Sequence, residues 1–202
     1  MSKIVKMAML FVALTATFSF SSTYGFRAGF SLYDYSTGYS EMDEYVKMGY
    51  GFGGGLVSIV PLNSKLSFVS EFNFLYRKPV IMEIPSDDYG SALEGYFTEY
   101  AISIPIMFQL NLAEGMPYLA AGVQLDTPFS CKITRKISGL PEESRDYEDR
   151  VSMDFGIVLG VGYLITPNMG VDARAVIGLT APSKGADDEK WNQYGAGLTY
   201  YF

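Results

Sequence analysis

Residues 171–180 read VDARAVIGLT, and this stretch decides the fold class because two unlike sets of side chains alternate along it. One set is apolar and consists of Val171, Ala173, Ala175, Ile177 and Leu179. The other is charged or compact and consists of Asp172, Arg174, Val176 and Gly178. A period of two is typical of a β-strand that separates two different environments. The stretch therefore predicts a strand with one apolar face and one polar face.

The same alternation recurs along the chain, with Pro105 as a misfit because proline lacks a ladder donor. The predicted strands lie at residues 26–33, 49–60, 66–76, 99–110, 118–126, 154–163, 171–180 and 194–202. The facing of the glycine-rich segment 49–60 stays open. Short connections (61–65, 111–117 and 166–168) alternate with long polar ones (34–47, 77–95, 127–150 and 181–192). This rhythm predicts an all-β, eight-stranded antiparallel up-and-down barrel with short turns on one side and long loops on the other.

Glycine decides which face of the barrel should point outward. The glycines that fall on the polar parity are Gly29, Gly122, Gly156, Gly160, Gly162, Gly178, Gly195 and Gly197. A small barrel needs compact side chains inside, so large apolar residues outside indicate a barrel surrounded by lipid. Phe and Tyr near many segment ends fit interfacial girdles. A soluble barrel or sandwich with an apolar interior is the competing interpretation.

The first 25 residues have the pattern of a secretory signal peptide. Lys3 and Lys6 precede the apolar run 7–20, and small or polar residues follow it. Cleavage after Ser21 and cleavage after Gly25 are both compatible with the pattern, and residues 26–202 would form the single barrel domain. No later run reaches the roughly 20 apolar residues of a membrane helix.

Composition excludes several kinds of function. There is no histidine, so His-based triads and His-ligated metals are absent, and no cofactor or enzyme activity is expected. The formal net charge of −7 argues against a nucleic-acid partner. The sequence GYGFGG at residues 49–54 matches a dinucleotide fingerprint, but LVSIV follows it, which indicates a strand instead of the required helix. The single cysteine, Cys131, excludes an internal disulfide.

Charged residues on the inward parity form the candidate site. They are Arg27, Glu71, Glu99, Asp154, Asp172 and Arg174. A charge in a narrow lumen must be paired or hydrated. We expect Arg27 and Arg174 to pair with some of the carboxylates and to close the lumen to all but small ions, whereas independent hydration of each side chain is the alternative.

Several motifs carry a resemblance to a known family. They are GFGGGL at 51–56 with Pro61-Leu62, SIPI at 103–106, PYLAAG at 117–122, DFGIVLGVGY at 154–163 and the terminal Phe202. The chain from residue 26 onward resembles the outer-membrane β-barrel domain family of small porin-like proteins, found especially in Bacteroidetes-type bacteria. It is more distantly similar to the transmembrane parts of OmpA and OmpX. The last strand resembles the C-terminal signal read by the outer-membrane assembly machinery, carried here by Tyr194, Leu198, Tyr200 and Phe202.

These observations predict a monomeric protein of the bacterial outer membrane, in contact with the lipid bilayer and lipopolysaccharide. One functional hypothesis is a structural or surface-interaction role, in envelope integrity, adhesion or recognition, through four long polar loops. The other is a narrow pore or an accessory barrel of a transport or secretion system. The acidic groups at residues 142–149 and 187–189 could hold Ca²⁺ or engage lipopolysaccharide through divalent ions, although solvated loops are the commoner explanation.

Overall fold

The computed structural model describes residues 22–36, 40–84, 93–112, 117–137, 139–146, 153–180 and 190–202. Within these ranges the chain forms nine strands and one short helix: β1 (Thr23–Ser36), α1 (Ser40–Asp43), β2 (Val46–Pro61), β3 (Leu66–Ile84), β4 (Leu93–Asn111), β5 (Tyr118–Ile137), β6 (Glu143–Asp146), β7 (Asp154–Thr166), β8 (Met169–Gly178) and β9 (Lys190–Tyr201). No helix in the described ranges is long and apolar enough to cross a bilayer.

Eight of these strands form a closed antiparallel ring, as the alternation predicts. Sequential neighbours pair from β1 to β5, β5 continues to β7, and β9 pairs with β1 to close the wall. The short turns follow β2, β4 and β7. They lie at the end of the barrel where β1 begins and β9 finishes. There the Phe202 N–H donates to the Tyr24 carbonyl at 2.9 Å. Closure gives every wall strand a hydrogen-bonded neighbour on both sides, which a membrane-spanning sheet requires.

The apolar parity faces outward, as predicted. Phe26, Phe30 and Leu198 are each about half exposed on the outer surface. Inward positions are buried, and one group of them forms an apolar cluster: Val57, Val69, Met107, Ala120, Val158, Val176 and Trp191. The glycine-rich strand β2, whose facing the sequence left open, turns its odd-numbered positions inward, since Val57 is 3% exposed while its neighbour Leu56 is 50% exposed.

Two inward glycines show why compact residues occupy this parity. A Cβ at Gly122 would strike the backbone carbonyl of Ile106 in the neighbouring strand. A Cβ at Gly197 would enter the guanidinium of Arg27. The interior is therefore filled to contact, as expected for eight strands.

The predicted extents of all four long loops are wrong. In the predicted loop 181–192, strand β9 already begins at Lys190. Strand β3 continues to Ile84 and β4 begins at Leu93, so most of the predicted loop 77–95 is strand. Strand β5 continues to Ile137, and β6 pairs with its outer part from Lys132↔Asp146 to Arg135↔Glu143. In the predicted loop 34–47, α1 lies between strands that reach Ser36 and start at Val46. Alternation weakens beyond the lipid, because both faces of a strand are then wet.

The continuation of the sheet beyond the wall is called here the extension: residues 78–84 of β3, 93–98 of β4, 130–137 of β5, and β6. β3 and β4 contain 19 residues each, whereas β8 contains 10. At about 3.4 Å per residue and the usual tilt, a 19-residue strand rises about 50 Å, roughly twice the height of an outward apolar band. The extension therefore protrudes on the long-loop side.

Pro105 does not interrupt the wall. The β3–β4 register contains Ser70↔Ile106 and resumes at Asn73↔Ser103, so the ladder is interrupted beside Pro105, which itself lies opposite Gln124 of β5. A residue without an N–H is tolerated at such a gap because no β3 acceptor depends on it.

Candidate functional site in the barrel interior

The lumen contains two clusters of charged side chains, one above the other. Neighbouring strands place these residues inward at every second position, and the tilt of the strands brings residues from distant parts of the chain to one level. The lower cluster, nearer the short turns, consists of Arg27, Glu71, Asp172 and Arg174. The upper cluster, nearer the extension, consists of Arg77, Glu99, Asp126 and Asp154.

In the lower cluster two arginines share two carboxylates. Arg27 donates to Asp172 from Nε at 3.1 Å and from Nη2 at 2.7 Å. Arg174 donates from Nε to Asp172 at 2.7 Å and from Nη2 to Glu71 at 2.8 Å. Asn73 Nδ2 donates to the second oxygen of Glu71 at 3.0 Å. The formal charges balance, and the charge-assisted contacts have the short distances typical of strong pairs.

In the upper cluster a single arginine holds three carboxylates. Arg77 contacts Glu99 from Nε at 2.7 Å, Asp126 from Nη1 at 3.0 Å and Asp154 from Nη2 at 2.6 Å. The Tyr33 ring centroid lies 5.7 Å from the guanidinium carbon. One guanidinium against three carboxylates leaves a formal charge of −2. Consistent with this excess, Asp126 Oδ1 and Asp154 Oδ1 are buried and have no hydrogen-bond partner.

A small polar cavity separates the clusters. Its volume is about 40 Å³, enough for about three water molecules. Gln193 Nε2 donates to Ser31 Oγ at 2.9 Å, and Gln124 Nε2 donates to Gln193 Oε1 at 3.2 Å along its wall. Asn73 Oδ1, also at this level, has no protein partner. The cavity suits water and is too small for an organic ligand.

The structure brings together Arg27, Glu71, Asp172 and Arg174 in the lower cluster, and it places Glu99 and Asp154 in the upper one. Sequence reasoning missed Arg77 and Asp126. The predicted strand ends at Tyr76, so Arg77 falls in the predicted loop, although it continues the inward parity of Glu71 and Asn73 along β3. Asp126 ends a predicted strand on the same parity as Gln124. Extending each strand by its own parity would have found both residues.

Some of the other predicted features lie in the described ranges of the chain, and others lie outside them. The residues of the predicted assembly signal all face outward and are 46–70% exposed: Tyr194, Leu198, Tyr200 and Phe202. Glu143 and Asp146 lie in β6 opposite basic residues of β5. Residues 147–149 and 187–189 are outside the described ranges, as are residues 1–21 of the predicted signal peptide. Among described residues, no group of three His, Cys, Asp or Glu side chains is arranged to hold a metal ion.

Comparisons with known proteins agree with this architecture. A family model described as "Outer membrane protein beta-barrel domain" matches residues 18–181. Ail, the attachment invasion locus protein of Yersinia pestis, superimposes with a TM-score of 0.50 at 17% identity, over 90% of this chain and 99% of that one. Neisserial surface protein A gives a TM-score of 0.53 at 16% identity, with the same coverages. Curated protein sequences yield no significant match.

Proposed function

The chain belongs to the outer-membrane β-barrel domain family, and from that premise we propose that it is a non-conducting barrel whose extracellular side makes surface interactions. It is a protein of the bacterial outer membrane. The filled lumen is the observation that carries the proposal. The long-loop side of such barrels faces the exterior, so the extension is the part of the wall presented to partners.

Support for a closed lumen comes from three successive layers. Val57, Val69 and Met107 point inward near the short turns and belong to the apolar cluster, which continues from there toward Val176 and Trp191. The lower cluster spans the section above them, and the upper cluster spans the section below the extension. An ion that passed would have to displace guanidinium–carboxylate contacts of 2.6–3.1 Å. Breaking one buried pair costs about 3–5 kcal/mol, which makes permeation slow.

A surface role also agrees with what the lumen does not provide. The carboxylates are held by arginine, and the chain contains no histidine, so we infer that the protein is not an enzyme. One structural neighbour is Ail, the attachment invasion locus protein of Yersinia pestis, which has been crystallised with the heparin analogue sucrose octasulfate. For this chain we propose only the broader role: adhesion, recognition or envelope support through the extension and loops.

Conductance of single proteins in planar bilayers tests the proposal. We expect the wild-type protein to show no stable open state. Arg77→Ala alone should also stay closed, because the lower cluster and the inward apolar residues near the short turns still fill the lumen. Arg145→Ala is the matched control, since Arg145 has an 81% exposed side chain outside the lumen. A large, stable wild-type conductance would overturn the closed-lumen proposal in favour of a narrow pore.

We further propose that the last strand carries the assembly signal through Tyr194, Leu198, Tyr200 and Phe202. These side chains form one outward row on β9, available to a partner before lipid surrounds the barrel. The end of β9 is also tied to the turn between β7 and β8, where the Tyr201 N–H donates to the Asn168 carbonyl at 2.7 Å. We also expect a monomer, because the ring leaves no wall strand without a neighbour.

A further inference from the structure

An outward row of aromatic rings crosses four strands at the base of the extension. Its members are Phe52 of β2, Tyr76 of β3, Tyr100 of β4 and Phe129 of β5. Successive ring centroids are 5.0, 5.4 and 6.4 Å apart. Rings at this position mark the boundary between hydrocarbon and headgroups. The row therefore fixes the level of the outer-leaflet headgroups on this side of the barrel.

Two lysines lie immediately beyond this row. Lys78 is two residues past Tyr76 on β3 and opposite Tyr50. Lys132 is two residues past Ser130, the cross-strand partner of Tyr100. Two residues advance a strand by about 7 Å, which places both ammonium groups at headgroup height. The Lys78 ammonium is also held in place, 4.0 Å from the Tyr96 ring centroid.

Lys78 and Lys132 lie on one side of the barrel, on β3 and β5. On the opposite side, the β1–β9 pairs that lead out of the wall are Asp34↔Asn192 and, two residues further out, Ser36↔Lys190. The whole chain carries a formal charge of −7. Two cations above an aromatic row on an otherwise acidic protein therefore indicate a localised anion site, as opposed to a uniform basic belt.

We propose that Lys78 and Lys132, with the aromatic row beneath them, bind a phosphate of an outer-leaflet lipid, with its acyl chains against the rings. Lysine is a compact point charge that suits phosphate oxygens. Asp146 is the cross-strand neighbour of Lys132 and opposes binding of an anion. The inference rests on the outer-membrane location and does not depend on a closed lumen, so a conducting wild-type barrel would leave it standing.

Titration of the detergent-solubilised full chain with lipid A, phosphatidylglycerol or phosphatidylcholine, followed by native mass spectrometry, tests the site. A surface lysine contributes about 1 kcal/mol toward anionic lipid, or roughly five-fold in affinity. We expect Lys78→Gln and Lys132→Gln each to weaken lipid A binding about five-fold, and Asp146→Asn to strengthen it. Lys136→Gln is the matched control: Lys136 is exposed on the same strand but about 14 Å further out.

The outcomes separate the possible lipids and can reject the site. Preference for lipid A over phosphatidylglycerol identifies lipopolysaccharide as the source of the phosphate, and equal binding identifies anionic phospholipid as well. Equal binding of phosphatidylcholine, or an equal loss in Lys136→Gln, overturns the proposal. Should the Lys78 variant fail to fold, the Lys132 and Asp146 variants still decide, because both residues are exposed.

Discussion

Substituting aspartate by asparagine should be costly in the lower cluster and nearly neutral in the upper cluster. Asp172 accepts from Arg27 and Arg174 through three contacts of 2.7–3.1 Å. Asp172→Asn leaves two guanidiniums facing one carboxylate, Glu71, in a buried site. Breaking such a buried pair costs about 3–5 kcal/mol, and we expect that loss in the free energy of unfolding.

Asp126→Asn makes the same chemical change where negative charge is in excess. The side chain accepts from Arg77 at 3.0 Å and from Gln124 at 3.1 Å, and Oδ1 has no partner. The amide still accepts one hydrogen bond, and it removes one of three mutually repelling carboxylates. A charge-assisted hydrogen bond contributes about 1.5–3 kcal/mol. Because relief of repulsion offsets its weakening, we expect a net change within about 1 kcal/mol.

Urea unfolding in lipid vesicles measures both values. Trp191 is the single tryptophan and is 5% exposed inside the wall, so its emission reports loss of the barrel. Asp34→Asn, at an exposed site, controls for the substitution itself. If Asp126→Asn were as costly as Asp172→Asn, the formal charge imbalance could not be what distinguishes the clusters, and the reasoning would be refuted.

Three further predictions concern the wall and its ends. Gly122→Ala should lower the free energy of unfolding by about 1–3 kcal/mol, because the added Cβ would strike a neighbouring backbone. Gly95→Ala is the control and should be neutral, because no atom lies nearer than 4.0 Å to its added Cβ. Equal urea midpoints for the two variants would contradict this. The intact mass of the exported protein should match a chain that begins at Ser22, because cleavage after Ser21 leaves β1 whole. A mass that matches a later first residue would contradict this. Phe202→Ala should reduce the heat-modifiable barrel in outer-membrane fractions while in vitro refolding persists, and an unchanged yield would count against the signal.

The wall could be predicted from sequence because lipid and lumen impose different chemistry on alternate residues. The segments around Ile157 and Ile177 show this alternation without interruption, and both lie in wall strands with outward apolar side chains. The extension could not be predicted, since water contacts both of its faces and the period of two loses its contrast. Arg77 is the first residue of the predicted loop that follows Tyr76, yet it is 2% exposed at the centre of the upper cluster, because β3 continues inside the wall for one more inward position.

The ion pairs themselves depend on information that parity lacks. Arg77 reaches Asp154, 77 residues away, across the lumen. Which inward residues share a level depends on how far each strand is displaced relative to the next. A single turn one residue longer would change every such pairing. Alternation along a strand therefore identifies which residues face inward, whereas the register summed around the barrel decides which of them form ion pairs.

Strand β5 changes its neighbour on one side along its length, and this has a mechanical consequence. Its first half pairs with β7 in the ring, its second half pairs with β6, and β4 accompanies it along its length. Phe129 interrupts the register by one residue, which bends the ribbon without cutting it. The extension is thus a paired sheet anchored in the barrel wall. A molecule that binds there would meet a preformed surface, so less conformational entropy would be lost on binding than with a flexible loop.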